Sequence, residues 1–477
     1  MSGFWYTAAI ATTFSAAFSL AGRLGAPLPG SLVVTKVAES AHASGEQASF
    51  YRGQPLLEQA FQKATAKLDD DPDTVGEQRY QQAMLAANEA VAAYQSALQL
   101  AAEEGGKWRS LSFTRRERSL WQTSLKALAD VPTASQWYNQ AAEKKVLYNR
   151  LLATAEGKIA QADKVFLTDI IQSAGIEPGR VHITLCQIPS SELVADVVPD
   201  QAVSTANHDA PTHDSVTRNQ SLTLAGLLTP DGQVDPQQCR HHQGDQLMAS
   251  PASLIKLPIA IVLLHKITAE DIDLDSELFI ESGNFTENAA GATVATGESY
   301  TLREVMADMI KTSNNIATNQ LIDYLKRDYL GQTLAEMGYS KTVIDHKLVG
   351  DRMMPSNPGS RANQSTTNDI TVMMARAYGM DAPQDSELLD ALISQQDQEL
   401  GYAALKDLNP AISWLGEKTG QNNRMLGSTL AMKVNAERYA LTVAIDYGGD
   451  PQNIQQIVRQ IASYLLEVGP LVGEAEP

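Results

Sequence analysis

Strand-forming segments stand at both ends of residues 180–470 and helix-forming sequence fills the middle, an order that sets the architecture before any site is considered. Val181-His182-Ile183-Thr184-Leu185 reads as a strand, and Ser221 to Leu228 as a second. Strands return with Gly427 to Val434 and Arg438 to Asp446, both partly alternating. Helical sequence from 253 to 400 separates the two pairs. A closing helix opens at Pro451, carries Ile454, Ile457, Ile461 and Leu465 on one face, and runs to about Glu467. The order implies an α+β domain over 180–470, an antiparallel sheet flanked by helices with a helical subdomain between the strands. The polar stretch 190–220 has no periodicity and reads as a surface insertion.

A chain of 477 residues is too long for one ordinary core, so two domains and linkers are expected. The start runs apolar from Phe4 to Leu20 and meets its first basic residue at Arg23. Residues 1–23 read as an export signal or membrane attachment through 4–20, although the usual basic flank is missing; a buried N-terminal segment is the other reading. Export would place the protein in the periplasm or anchor it to a membrane outside the cytoplasm. Residues 24–54 read as a tether. Residues 55–175 read as an all-helical domain: Leu57, Ala60, Phe61, Ala64 and Leu68 share a face before the Asp-Asp-Asp-Pro break at 69–72. Helices follow from Glu77 to about Glu104, then over 114–129 and 134–173. A plain bundle or a loose repeat array fits, with Trp108, Trp121, Trp137 and Tyr138 as core anchors or as the wall of a groove. Spacing or docking of a protein partner is the role expected of this part.

A formal charge of -19 argues against a nucleic-acid groove and against a polybasic membrane patch. Cys186 and Cys239 are the two cysteines; they pair if the chain is exported and are otherwise buried or free thiols. No CxxC framework exists, and His208, His213, His241 and His242 lie in polar, loop-like sequence, so neither metal nor cofactor is expected.

Three short segments carry the chemistry. Ser253 precedes the apolar run Leu254 to Leu264, with Lys256 three residues on, which sets a hydroxyl and an amine on the same side of the first turn of a buried helix. Partial desolvation near the positive end of a helix lowers a lysine pKa and frees the amine as a base. Ser313-Asn314-Asn315 offers a proton-relaying hydroxyl and an amide that orients the lysine and an amide substrate. Lys418-Thr419-Gly420 offers a cation and a hydroxyl beside a glycine that allows close backbone approach, as an edge strand docking a carboxylate requires. Each segment alone also fits a helix cap, a snorkelling lysine or a charge guarding an edge. Together, in this order, they supply the inventory of serine acyl transfer.

On these residues the chain resembles a class A beta-lactamase and, more broadly, the penicillin-recognising serine enzymes, over about 220–470. ASPASLIKLPI is similar to the nucleophile region, IKTSNNIATNQLI to the Ser-x-Asn helix and EKTG to the strand motif. The resemblance implies a beta-lactamase/transpeptidase-like fold. It implies Ser253 as the acylated residue, Lys256 as its base, Ser313 as proton relay, Asn315 as substrate ligand, and Lys418 with Thr419 as carboxylate clamp. The oxyanion would be held by the backbone N–H of Ser253 and of a residue just after Gly420, taken as Asn422. The substrate implied is a beta-lactam or a D-alanyl peptide-like molecule.

Two departures stand out. The usual Ser-Asp-Asn is Ser-Asn-Asn here, with Asn314 in the middle. The loop Lys347 to Pro355, ahead of Ser365-Thr366-Thr367, lacks the glutamate that activates the deacylating water, and no glutamate occurs between Glu336 and Glu387. Asp351 is the acid nearest the expected point, its shorter side chain displacing the oxygen by about 1 Å, enough to cost orders of magnitude in rate. A beta-lactamase-like hydrolase, a D,D-peptidase-like penicillin-binding protein with slow deacylation, and a non-catalytic cell-wall-binding scaffold are the readings that follow.

Overall fold

The structure, a computed structural model, describes residues 71–103, 106–189, 227–228, 233–236, 238–287, 291–350, 352–379 and 384–471. The apolar start, the tether, the helix expected over 57–68 and most of the expected strand 221–228 lie outside the described residues. Contacts divide the chain into residues 1–75 and 76–477, and the fold below is that of the second unit.

Among the described residues three long helices come first: α1 (Pro72–Ala101), α2 (Lys107–Ala129) and α3 (Tyr138–Ser173). The acidic run that reads as a break ends on Pro72, the first residue of α1, where a missing N–H costs nothing. Helix α2 begins earlier than its polar first turn predicts, and there Leu111 is buried and Trp108 packs edge-on against Tyr464. Ala83, Ala87 and Ala90 give α1 a narrow face against which Trp121 and Tyr148 pack, their ring centroids 4.9 Å apart. Trp137 stacks on Tyr80. These aromatic residues are core anchors.

The sheet is five-stranded and antiparallel, ordered β2-β1-β7-β6-β5, with β1 Val181–Ile188, β2 Cys239–His242, β5 Ile412–Asn422, β6 Met425–Val434 and β7 Glu437–Asp446. Between β2 and β5 lie α4 (Lys256–Glu270), the short pair β3 (Glu277–Phe279) and β4 (Ser299–Thr301), α5 (Leu302–Lys311), α6 (Asn315–Leu325), α7 (Arg327–Glu336), α8 (Thr367–Gly379), α9 (Asp385–Ile393) and α10 (Gly401–Leu405). Helix α11 (Pro451–Val468) closes the chain behind a capping box at Asp450. This is the α+β architecture expected, preceded by helical sequence.

Both sheet faces are covered, and they differ in side-chain size. Tyr439, Leu441, Val443 and Ile445 of β7 pack with α3 and α11, whereas Ala440 and Ala444 face the core of α4 to α9. Small residues on that face let α8 approach, and a buried hydroxyl ladder joins it to the sheet: Thr371 Oγ1 donates to Thr442 Oγ1 at 2.7 Å, and Thr442 Oγ1 donates to Thr429 Oγ1 at 2.9 Å. Burial on both faces is why these strands alternate only partly in sequence. The C-terminal half of α3, with Phe166, Leu167, Ile170 and Ile171, belongs to the same core as the sheet, so residues 175–180 lie inside one packed unit. A charged latch adds to it: Asp163 accepts from Arg115 at 3.1 Å, Arg240 at 2.9 Å and Tyr464 Oη at 3.0 Å.

Cys186 and Cys239 face each other across β1 and β2 and form a disulfide with a sequence separation of 53. Closing a loop of that length stabilises the fold by about 3 to 5 kcal/mol in the chain-entropy account. Reduction, or a Cys186→Ser/Cys239→Ser variant, is therefore expected to lower the unfolding free energy by that amount in urea titration; an unshifted midpoint would contradict it.

Candidate active site

Ser253 sits in a 3₁₀ turn, Ala252–Ile255, rather than in the α-helix, which begins at Lys256. Ala252 adopts φ 43°, so the chain enters the turn through a left-handed residue. Several bonds hold this entry. Ala249 N donates to Asp446 Oδ1 at 3.0 Å, Ala252 N to Ser250 Oγ at 3.1 Å, and Asn422 Nδ2 to the same hydroxyl at 2.9 Å. The first amide bonded within the turn is Leu254 N, to Pro251 O. The Ser253 amide and hydroxyl, partly exposed, have no hydrogen-bond partner among the described residues. The turn and α4 together, Ala252–Glu270, are apolar and long enough to cross a membrane, yet Leu257 to Leu264 are buried in the core. Pro258 falls in the first turn, where no intrahelical N–H is lost.

Lys256 is fully buried, and its amine meets three oxygens, Ser313 O, Ser313 Oγ at 2.9 Å and Asn315 Oδ1 at 2.9 Å. No hydrogen bond joins it to Ser253 Oγ. Burial first, and the charge of Lys418 second, hold its pKa well below the ordinary lysine value, with Asp308 acting in the opposite sense. An ammonium fills this shell with three donated hydrogens. A neutral amine fills it equally well if the Ser313 hydroxyl turns to donate, because the amine then has two hydrogens and a lone pair. The shell therefore tolerates both protonation states that a base passes through.

The triplet joins α5 to α6. Ser313 adopts φ 60°, Asn314 caps α6 by accepting from Ala317 N at 2.9 Å, and Asn315 opens the helix. Helix α6 then repeats a polar residue every four positions. Asn315 meets Lys256; Asn319 makes a paired bond with the backbone of Leu348 at 2.9 and 2.7 Å; Asp323 receives Lys347 Nζ at 2.7 Å. One helix face thus fixes both Lys256 and the start of the loop 347–356.

The third segment lies on β5, the edge strand. Lys418 is fully buried and donates to Thr419 O at 2.8 Å. Desolvation pushes its pKa down to about 8, against the opposing charges of Asp397 and Glu417. A Cβ on Gly420 would fall 2.9 Å from Leu254 N and 3.2 Å from Ser253 N, so only glycine lets β5 lie this close to the nucleophile turn. Asn422 is exposed at the hairpin, its Oδ1 accepting from Arg424 N at 2.9 Å and Met425 N at 3.0 Å. Neighbouring residues on a strand point their N–H groups in opposite directions, so Gln421 and Asn422 are alternatives as a backbone donor on the open edge. Gln421, directly after Gly420, is absent from the sequence reading.

Ser253, Lys256, Ser313, Asn315, Lys418, Thr419 and Gly420 thus converge where α4, the triplet and β5 meet. Asp351 lies outside the described residues. The structure brings an acid to the same loop that sequence spacing does not reveal. Glu287 Oε2 accepts from Met353 N at 3.2 Å and lies 2.0 Å from where a Cβ on Gly350 would stand, while Glu287 O accepts from Asn315 Nδ2 at 3.2 Å. It comes from the segment before α5, remote in sequence from the loop it contacts.

Residues 233–468 match the family model described as the beta-lactamase enzyme family. This part of the chain is a beta-lactamase-like domain. Similar solved structures include a beta-lactamase from Sphaerobacter thermophilus, 18% identical, covering 63% of this chain and 95% of its own, with a TM-score of 0.44. PBP-A is 20% identical over 62% of this chain and 94% of its own, with a TM-score of 0.45. A beta-lactamase from Xanthomonas campestris is 14% identical over 64% and 98%, with a TM-score of 0.45. Among curated proteins no sequence match was found.

The state of Lys418 gives the domain a pH signature. With its pKa pushed down to about 8, a Lys418 that anchors a carboxylate is expected to lose affinity for it as pH rises through about 8. Titrating binding of an anionic ligand against its methyl ester checks this; equal pH dependence for both would contradict the assignment.

Proposed function

We propose that the protein is a serine hydrolase that opens beta-lactam or related amide bonds through an acyl-serine intermediate. The observation that carries the reading is the unpartnered Ser253 hydroxyl and amide beside a buried lysine whose pKa is held low. Lys256, as the neutral amine, takes the Ser253 proton while Oγ attacks the carbonyl carbon. The oxyanion is held by the Ser253 N–H and by the outward N–H on β5 just after Gly420, Gln421 or Asn422. Collapse breaks the carbon–nitrogen bond. Ser313 Oγ gives its proton to the leaving nitrogen and regains one from the Lys256 ammonium, which restores the amine. Lys418 and Thr419 anchor the substrate carboxylate, and Asn315 binds its amide. Water then attacks the ester and releases the acid.

A second reading shares the acylation half and differs in release. The loop Lys347 to Pro355 has no glutamate, which favours a peptidoglycan D,D-peptidase that holds penicillin as a long-lived adduct. Asp351 as release base belongs to the first reading. The Cys186–Cys239 disulfide favours an extracytoplasmic site of action, where oxidising conditions maintain such bonds. The helical residues before the sheet are assigned spacing or docking of a protein partner.

Intact-mass spectrometry of the full chain with benzylpenicillin separates these readings. An adduct on Ser253 that decays with product formation supports the hydrolase, and a persistent adduct supports the D,D-peptidase. Ser253→Ala is expected to abolish the adduct and Lys256→Ala to slow its formation by about 100- to 10,000-fold. Neither adduct nor product in the wild-type protein would contradict both readings and leave a non-catalytic cell-wall-binding scaffold.

A further inference from the structure

The exchange of the usual middle aspartate for Asn314 has a counterpart one and a half turns upstream. Asp308, near the end of α5, is 6% exposed and forms no ion pair among the described residues. Its carboxylate is nevertheless saturated. Oδ2 accepts from Thr293 N at 2.9 Å, Val294 N at 2.8 Å and Asn314 Nδ2 at 2.7 Å, and Oδ1 accepts from Thr312 Oγ1 at 2.8 Å. Three of these partners are N–H groups that can only donate, and the Thr312 hydroxyl, which also reaches Asp308 O at 2.9 Å, can give or take a hydrogen. The partners come from the irregular segment 293–294, from the residue that ends α5 and from the triplet itself. Asp308 O adds a bond from Asn314 N at 3.4 Å.

Asn314 is the complement of this group. Its Nδ2 spends both hydrogens, one on Asp308 and one on Val294 O at 2.9 Å, while its Oδ1 caps α6. An aspartate at 314 could still cap the helix. It could not donate, and it would set two carboxylates within hydrogen-bond distance of each other in a buried place. The acid beside the site therefore sits at 308, and the middle position of the triplet has to be an amide. Between these anchors Ser313 is held at φ 60°, a conformation that a non-glycine residue keeps only when its surroundings enforce it.

We propose that Asp308 is a positioning residue of this site, which with Asn314 locks the Ser313 turn so that Ser313 O and Oγ meet the Lys256 amine. The inference rests on Lys256 and Ser313 acting as the proton-transfer pair. Asp308 also sets the charge that Lys256 experiences. Among the described residues the charged groups acting on Lys256 are Lys418 from β5 and Asp308 from α5, and Asp397 and Glu417 act in turn on Lys418. Without the charge at 308, Lys418 acts unopposed and the amine is harder to protonate.

Three variants of the full chain separate tie from charge. Asp308→Asn can keep the contacts, since Thr312 Oγ1 is able to accept from the new amide, and removes the charge alone. Its rate of labelling by a fluorescent penicillin is expected to keep an acidic limb, moved to lower pH. Asp308→Ala removes the ties, and labelling slows by about 10- to 100-fold, the cost of misplacing a reacting group by about 1 Å. Thermal melts of Asp308→Ala, Asn314→Ala and the double variant form a cycle, and the double is expected to melt close to the lower single. Wild-type labelling by Asp308→Ala, an unmoved limb in Asp308→Asn, or additive melting losses would each overturn the proposal. Should the wild-type protein take no label, the proposed function fails, and the melting cycle alone still decides whether Asp308 and Asn314 act as a unit.

Discussion

The amine of Lys256 lies in the core with three oxygens around it, and the rest of the site is arranged to make that burial tolerable. A lone ammonium in apolar surroundings would cost several kcal/mol. Here a carbonyl, a hydroxyl and an amide oxygen from Ser313 and Asn315 take its hydrogens, and burial first, then Lys418, keep it easily deprotonated. The same three groups are those that serine acyl transfer needs near its base. Structural satisfaction of the lysine and readiness for proton transfer are one arrangement.

That arrangement depends on the sheet. The small-residue face of β7 admits α8, which leaves α4 enclosed between the sheet and the helical subdomain. The large-residue face takes α3 and α11, so the helical segment before the sheet contributes to the core beneath the strands. Edge strand β5 reaches the Ser253 turn only because position 420 has no side chain. Helix α6, through Asn315, Asn319 and Asp323, ties Lys256 and the neighbouring loop to one rigid element. A site carried on helices and an edge strand is better fixed than one carried on loops.

Much of this was legible in the residues. Ser253, Lys256, Ser313, Asn315, Lys418, Thr419 and Gly420 stand out through local spacing as the residues that the fold brings together, and the strand–helix–strand order announces the sheet. What escaped depends on contacts between distant segments. Glu287 reaches the 350–353 stretch from before α5, and no local pattern links the two. Strand β2, with Arg240 and His241-His242, is too polar to read as a strand and is held by β1 and by Cys239. The Lys256 amine turns to the triplet rather than to Ser253, because buried hydrogens seek the nearest acceptors and the triplet supplies three. The every-fourth polar stripe of α6 was a signal in plain view, since polar residues recurring on one face of an otherwise buried helix have partners to satisfy.

The central claim is that burial holds the Lys256 amine well below the ordinary lysine pKa, and NMR of the protein labelled with carbon-13 at lysine Cε tests it most directly. The resonance missing from a Lys256→Met variant identifies the residue, and its shift is followed against pH. The account predicts a midpoint well below the ordinary lysine value of 10.5. A midpoint at or above that value would mean a permanently charged structural lysine, and a base for Ser253 would have to come from elsewhere.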